Sequence, residues 1–152
     1  MKLKWYGAGV VAAIAVAWFA SLVHASGHAP LGLVSLGVGA VLGAAVSVIA
    51  RKQQVAGGRQ LVGSVIVFAI VAIVAEHAWL YLDYRHEWLA QTAKSPQVAI
   101  FRTEPLPPTK YFAHEWSPQN AALWCLDAVL IVAGAVGTVF VWRGQRAPEP
   151  DI

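Results

Sequence analysis

Between Leu31 and Ala50 the chain runs for twenty residues without one charged side chain. A hydrocarbon layer about 30 Å thick is crossed by roughly 20 apolar residues in a helix. Three further stretches meet the same condition, over about 5–24, 61–82 and 118–142. Inside lipid no water satisfies backbone N–H and C=O groups, so each isolated stretch must be a helix that satisfies its own. The rest of the chain agrees with this. Of 152 residues, 58% are hydrophobic and 12% charged, about half the charge of a soluble domain. So little polar surface cannot cover a globule in water. The expectation is an all-α integral membrane protein with a single transmembrane domain over 1–152. Its four helices form an antiparallel up-and-down bundle. The longest connection, 83–117, is an outer loop between helices three and four, and 143–152 is a tail.

The first stretch also has the outline of a secretory leader. Lys2 and Lys4 precede an apolar run, and Val23-His-Ala-Ser26 resembles a cleavage region ending at Ala25. The preferred reading is a retained span. Orientation follows the placement of Lys and Arg. Lys2, Lys4, Arg51, Lys52, Arg59, Arg143 and Arg146 all fall on one side of the four spans. On the other side the first connection has no Lys or Arg. In the second, Arg85, Lys94, Arg102 and Lys110 are offset by Asp83, Glu87, Glu104 and Glu115. Both termini are therefore expected in the cytoplasm, with the protein in a bacterial inner membrane.

Helices in lipid associate by close packing, so small residues mark contacts. The second span carries Gly39 and Gly43 as a GxxxG. The fourth carries Ala133 with Gly137 and Gly134 with Thr138, again four apart. These glycines predict helix contacts, within the bundle or with another copy or partner.

Two carboxylates interrupt the apolar spans, Glu76 in the third and Asp127 in the fourth. Ser117 and Pro118 are good start signals for the last helix. Asp127 then lies about 13 Å along it at 1.5 Å per residue. Glu76 sits at a similar depth. Ionisable groups at such depths face the bundle interior or a wet cavity. With Asn120 near the same face, they predict a polar pocket between spans three and four, suited to a proton, an ion or a polar ligand. A structural pair of hydrogen-bonded side chains is the alternative.

All five histidines, His24, His28, His77, His86 and His114, fall on the outer side. Three of them belong to the related triplets Glu76-His77-Ala78-Trp79, His86-Glu87-Trp88 and His114-Glu115-Trp116. Imidazole and carboxylate together suit first-row divalent metals. His24 and His28 have i,i+4 spacing, although Gly27 and Pro30 oppose a helix there. A haem between His24 and His77 is the narrower version, and Glu87 and Glu115 are further metal candidates. The competing reading is an interfacial belt of amphipathic residues. Trp5, Trp18, Trp79, Trp88, Trp116, Trp124 and Trp142 mostly sit near span ends and fit it.

Between these triplets the third helix is expected to run past Leu82, with no Gly or Pro before Lys94-Ser95-Pro96. The stretch Pro105-Leu-Pro-Pro108 reads as a stiff spacer. Tyr111–Trp116 then returns the chain to the bilayer.

Several functions are excluded by motif. There is one cysteine, Cys125, so paired-thiol chemistry is absent. No P-loop, GxGxxG or serine nucleophile motif is present, and no basic stripe suggests nucleic acid. No feature points to an enzyme. Three expectations remain. The first is a structural or accessory subunit of a larger membrane complex, with protein partners or self-association in the bilayer. The second is a redox protein binding a metal ion, haem or quinone through the outer histidines. The third is a proton or small-solute transporter using Glu76 and Asp127.

Overall fold

A computed structural model describes residues 2–25, 32–53, 58–94, 104–115 and 117–144. Five helices form: α1 (Lys2–Ala25), α2 (Leu33–Lys52), α3 (Arg59–Lys94), α4 (Pro108–Glu115) and α5 (Pro118–Gly144). Among the described residues there is no strand. Four of the helices, all but α4, are long and apolar enough to cross a membrane.

Inside and outside are arranged by size as well as polarity. The core is largely small side chains: Ala13, Ala17 and Ala20 of α1, Ala69 and Ala72 of α3, and Ala135 of α5, each at most 1% exposed. Large apolar side chains point outward, among them Val11, Phe19, Leu33, Val74 and Val129, each more than 60% exposed. A soluble protein that exposed so much apolar surface would aggregate. In lipid the arrangement is favourable, because close approach of helices is what small residues provide.

Consecutive helices are not always neighbours. The most extensive pairing is α2 with α5, followed by α1 with α3, then α1 with α2 and α3 with α5. Helices α2 and α3 touch little. The helices therefore follow the order α1, α2, α5, α3 around the bundle.

The α2/α5 seam runs parallel and in register. Ser35 meets Asp127, Gly39 faces the Ile131 carbonyl, and Gly43 faces the Ala135 carbonyl. Gly134 in turn lies against the Leu36 carbonyl. A methyl group at any of these three glycines would overlap backbone. At the far end the Arg51 guanidinium lies 4.7 Å above the Trp142 ring. Gly137 is different. It faces outward, and a Cβ there would meet nothing within 4 Å. Gly134 and Ala135 occupy the contact, because the face that meets α2 passes through 131, 134, 135 and 139.

The α1/α3 contact is built on rings. Trp5 meets Phe68 edge to face at 5.8 Å, and Gly9 leaves the space that the Phe68 ring fills. Trp5, expected in an interfacial belt, is 2% exposed and belongs to this core instead.

Turn chemistry sets where two helices begin. Gly32 precedes α2 with φ +86°, a left-handed conformation that only glycine adopts without strain. Ser117 caps α5 by accepting the Asn120 N–H at 3.1 Å.

Within 83–117 most of the described residues are helical. Helix α3 continues to Lys94. At 1.5 Å per residue its 36 residues extend about 54 Å, well beyond a hydrocarbon layer of about 30 Å. Helix α4 follows where a polyproline-like spacer and a return strand of chain were expected. Pro107 ends the extended stretch, and its carbonyl accepts the Lys110 and Tyr111 N–H groups. Pro108 then opens the helix, a first-turn position where its missing N–H costs nothing.

Candidate functional site

Glu76 and Asp127 line one cavity of about 250 Å³ between α3 and α5. Ile73, Leu80, Leu123 and Ile131 supply apolar walls, and His77 and Trp124 complete it. Glu76 is 6% exposed. The α3 face containing Ala69, Ala72 and Glu76 is buried, so the carboxylate comes in on a helix surface of small residues.

Asp127 is shared between two neighbours. It lines the α3/α5 cavity, while its Oδ1 accepts the Ser35 hydroxyl of α2 at 2.8 Å. Ser35 begins the series Ser35, Gly39, Gly43, Ser47, all buried on one face of α2. The close approach that Gly39 and Gly43 permit is what puts the Ser35 hydroxyl within reach. Ser47 and Thr138 do not join this network; each donates to the carbonyl four residues earlier.

His77 belongs to this pocket as well. Its Nδ1 donates to the Ile73 carbonyl at 2.9 Å, since a carbonyl can only accept. That bond fixes the ring and leaves Nε2 as its other polar atom. The Trp124 ring stands perpendicular to it, with centroids 5.2 Å apart.

Asn120, expected in the pocket, is placed elsewhere. Its Nδ2 donates to the Glu115 carbonyl at 2.9 Å, tying the end of α4 to the start of α5. The capping turn at Ser117 sets this orientation, and Leu123 and Trp124, one turn deeper, line the cavity instead.

Above the pocket the long α3 carries α4. Tyr111 of α4 contacts Tyr84 at 4.8 Å and Tyr81 at 5.4 Å, ring centre to ring centre. Phe112 reaches Tyr81 at 6.3 Å and His77 at 6.5 Å. The Tyr81 hydroxyl donates to the Leu106 carbonyl at 3.1 Å, and the Leu106 N–H reaches the Tyr84 hydroxyl at 3.4 Å. Positions 77, 81 and 84 share one helix face. A continuous aromatic ladder thus runs from α4 down to the cavity.

Partial burial, then the neighbouring charge of Glu115 and the Tyr84 hydroxyl, raise the Tyr111 phenol above its usual range. The folded state holds that proton more tightly than the unfolded chain does. Docking of α4 is therefore complete below the ordinary tyrosine value, about pH 10, and weakens as pH rises through it. A spectrophotometric titration should show a late phenolate that is lost in Tyr111→Phe.

The two His-Glu-Trp triplets do not converge on an ion site. His86 and Glu87 are exposed on the α3 extension, and His114 is exposed on α4. Among the described residues no three His, Cys, Asp or Glu side chains gather to hold a metal. His77, His86, His114, Glu87 and Glu115 are thus spread over three places: the pocket, the outer face of α3 and the end of α4. His28 and the side chain of His24 lie outside the described residues.

Ser35 is not legible as a site residue in the sequence, and His77 enters there as a metal candidate and not as a wall of the Glu76–Asp127 pocket. The available signal was the four-residue spacing from Ser35 through Gly39 and Gly43. No family model, curated protein or solved structure matches the chain.

Proposed function

We propose that the chain is a small multi-pass membrane protein whose working part is the Glu76–Asp127 pocket, which takes up a proton or a small cation. One observation carries this reading. Two carboxylates from different apolar helices line the same cavity, with a histidine between apolar walls. Two carboxylates held together away from water repel unless a positive charge or a shared proton relieves them. Such groups in a bilayer usually mark proton or ion pathways.

The membrane placement belongs to the same proposal. The four long helices cross a bacterial inner membrane up and down, with both termini and the 51–59 turn in the cytoplasm. The parallel run of α2 beside α5 supports it, because alternate spans of an up-and-down chain point the same way. The basic residues grouped at the Arg51 end of the spans support the orientation. Helix α4 and the pocket then belong to the outer half.

The test is infrared difference spectroscopy, wild-type protein minus the Glu76→Gln/Asp127→Asn double variant, in phosphatidylcholine nanodiscs. The difference should carry a carboxyl signal that moves when the proton or the sodium concentration is changed. A difference signal that answers to neither would sink the proposal.

A second reading is a structural or accessory subunit. Its support is α5, whose apolar window is 17% buried, against 44% for α2. Leu126, Val129, Phe140 and Val141 of α5 are all exposed, which leaves room for another membrane helix.

A further inference from the structure

We propose that the pocket and the groove beside it form one site for an amphiphilic organic cation, with its charged head at Glu76 and Asp127 and its apolar tail in the groove. This rests on the reading that the pocket takes up positive charge, and it names the class of ligand.

A groove of about 450 Å³ lies against the outer side of the cavity, lined by Val74, Ala78, Phe112, Ala121 and Cys125. Ile73, His77, Trp124 and Ala128 line both spaces. The partition is therefore one layer of side chains, in which the histidine and the tryptophan stand edge to face. A proton or a bare ion uses none of the groove, since even a water molecule needs only about 30 Å³. Ligand sites of about 300–1,000 Å³ accept small organic molecules, and the two spaces together fall in that range.

The chemistry of the walls divides in the same way. The inner space presents two carboxylates and a histidine. The outer one presents carbon, a thiol and aromatic rings. Among the described residues no Lys or Arg lines either space, so the charge of the walls suits a cationic head and not an anionic one. The Trp124 ring, which lines the cavity, favours a cation further, because aromatic rings attract positive charge. Val74 is 64% exposed, so the tail can enter sideways from lipid without parting the helices.

Cys125 makes the site testable. It is the chain's single cysteine, it is exposed, and it lines the groove. The experiment measures its alkylation by N-ethylmaleimide in phosphatidylcholine nanodiscs. Decyltrimethylammonium is the probe, and decanol is the neutral probe of equal chain length. The cation should slow alkylation about tenfold at about ten times its Kd, by mass action. Decanol should leave the rate unchanged, and Glu76→Gln or Asp127→Asn should remove the protection. Equal protection by decanol, protection by neither probe, or protection that persists in both variants would overturn the proposal. The two-probe comparison on the wild-type protein stands even where a variant does not fold. If neither probe protects Cys125 while the infrared difference signal still answers to protons or sodium, this inference falls and the reading of the pocket stands.

Discussion

Gly39→Val should separate α2 from α5 and lower stability by about 3 kcal/mol or more. Overpacking a core typically costs about 1–3 kcal/mol, because neighbouring side chains can shift. Here the obstacle is the Ile131 backbone carbonyl and not a flexible side chain. Helix α5 must move as a body, and Gly43 and Gly134 lose their contacts with it. The Ser35–Asp127 hydrogen bond breaks too, since it depends on the same approach. Gly43→Val should act similarly against Ala135. Gly137→Val is the control. Its outward face meets nothing within 4 Å, so the stability should stay within about 0.5 kcal/mol, as for other surface substitutions. Reversible unfolding in mixed micelles, followed by circular dichroism, separates the cases. Equal loss in Gly39→Val and Gly137→Val would show that the seam is not where α2 and α5 meet.

Tyr111→Ala should release α4 altogether. This helix has eight residues and none of them is buried. Isolated helices shorter than about 12 residues are marginal in water, so α4 persists only while it is docked. Tyr111 contributes ring contacts to Tyr81 and Tyr84 of α3. At about 0.5–1.5 kcal/mol per aromatic pair, their loss amounts to about 2 kcal/mol. A factor of ten corresponds to about 1.4 kcal/mol, so backbone hydrogen exchange over 108–115 should quicken about thirtyfold. The long helices should keep their protection, because the ring contacts of Tyr111 lie on α3 and on α4 itself. Unchanged exchange in α4 would mean that the aromatic ladder does not hold it.

The four long helices were plain in the sequence because lipid imposes one strong rule. A run of about 20 apolar residues has no alternative to helix, and α2 shows this most clearly. The extension of α3 to Lys94 was equally legible, since nothing before Ser95-Pro96 interrupts a helix. Helix α4 was hidden because Pro107 and Pro108 read as a stiff spacer. Proline also starts helices, and only the docking surface of Tyr81 and Tyr84 decides between those outcomes.

The pocket between the third and fourth spans was legible, and its further partners were not. Glu76 and Asp127 each announced themselves as ionisable groups in apolar runs. Their common pocket depends on how α3 and α5 are turned, which helical spacing approximates. The Ser35 partner depends on α2 lying beside α5, and chain order alone would place α3 there. The His-Glu-Trp repeat allowed a shared metal site as well as an interfacial belt, and its two copies differ in setting. His86, Glu87 and Trp88 lie on the extension of α3, and His114 and Glu115 end α4. His77, in the less perfect copy, is the histidine that reaches the pocket.

The central claim is that Glu76 and Asp127 act as one unit. The direct measurement is a double-mutant cycle, in which unfolding in mixed micelles is followed for the wild-type protein, Glu76→Gln, Asp127→Asn and the double variant. Groups that share one pocket are coupled, so the two single effects should fail to add by about 0.5 kcal/mol or more. If they add within about 0.3 kcal/mol, the two groups are independent and the account of the pocket is wrong.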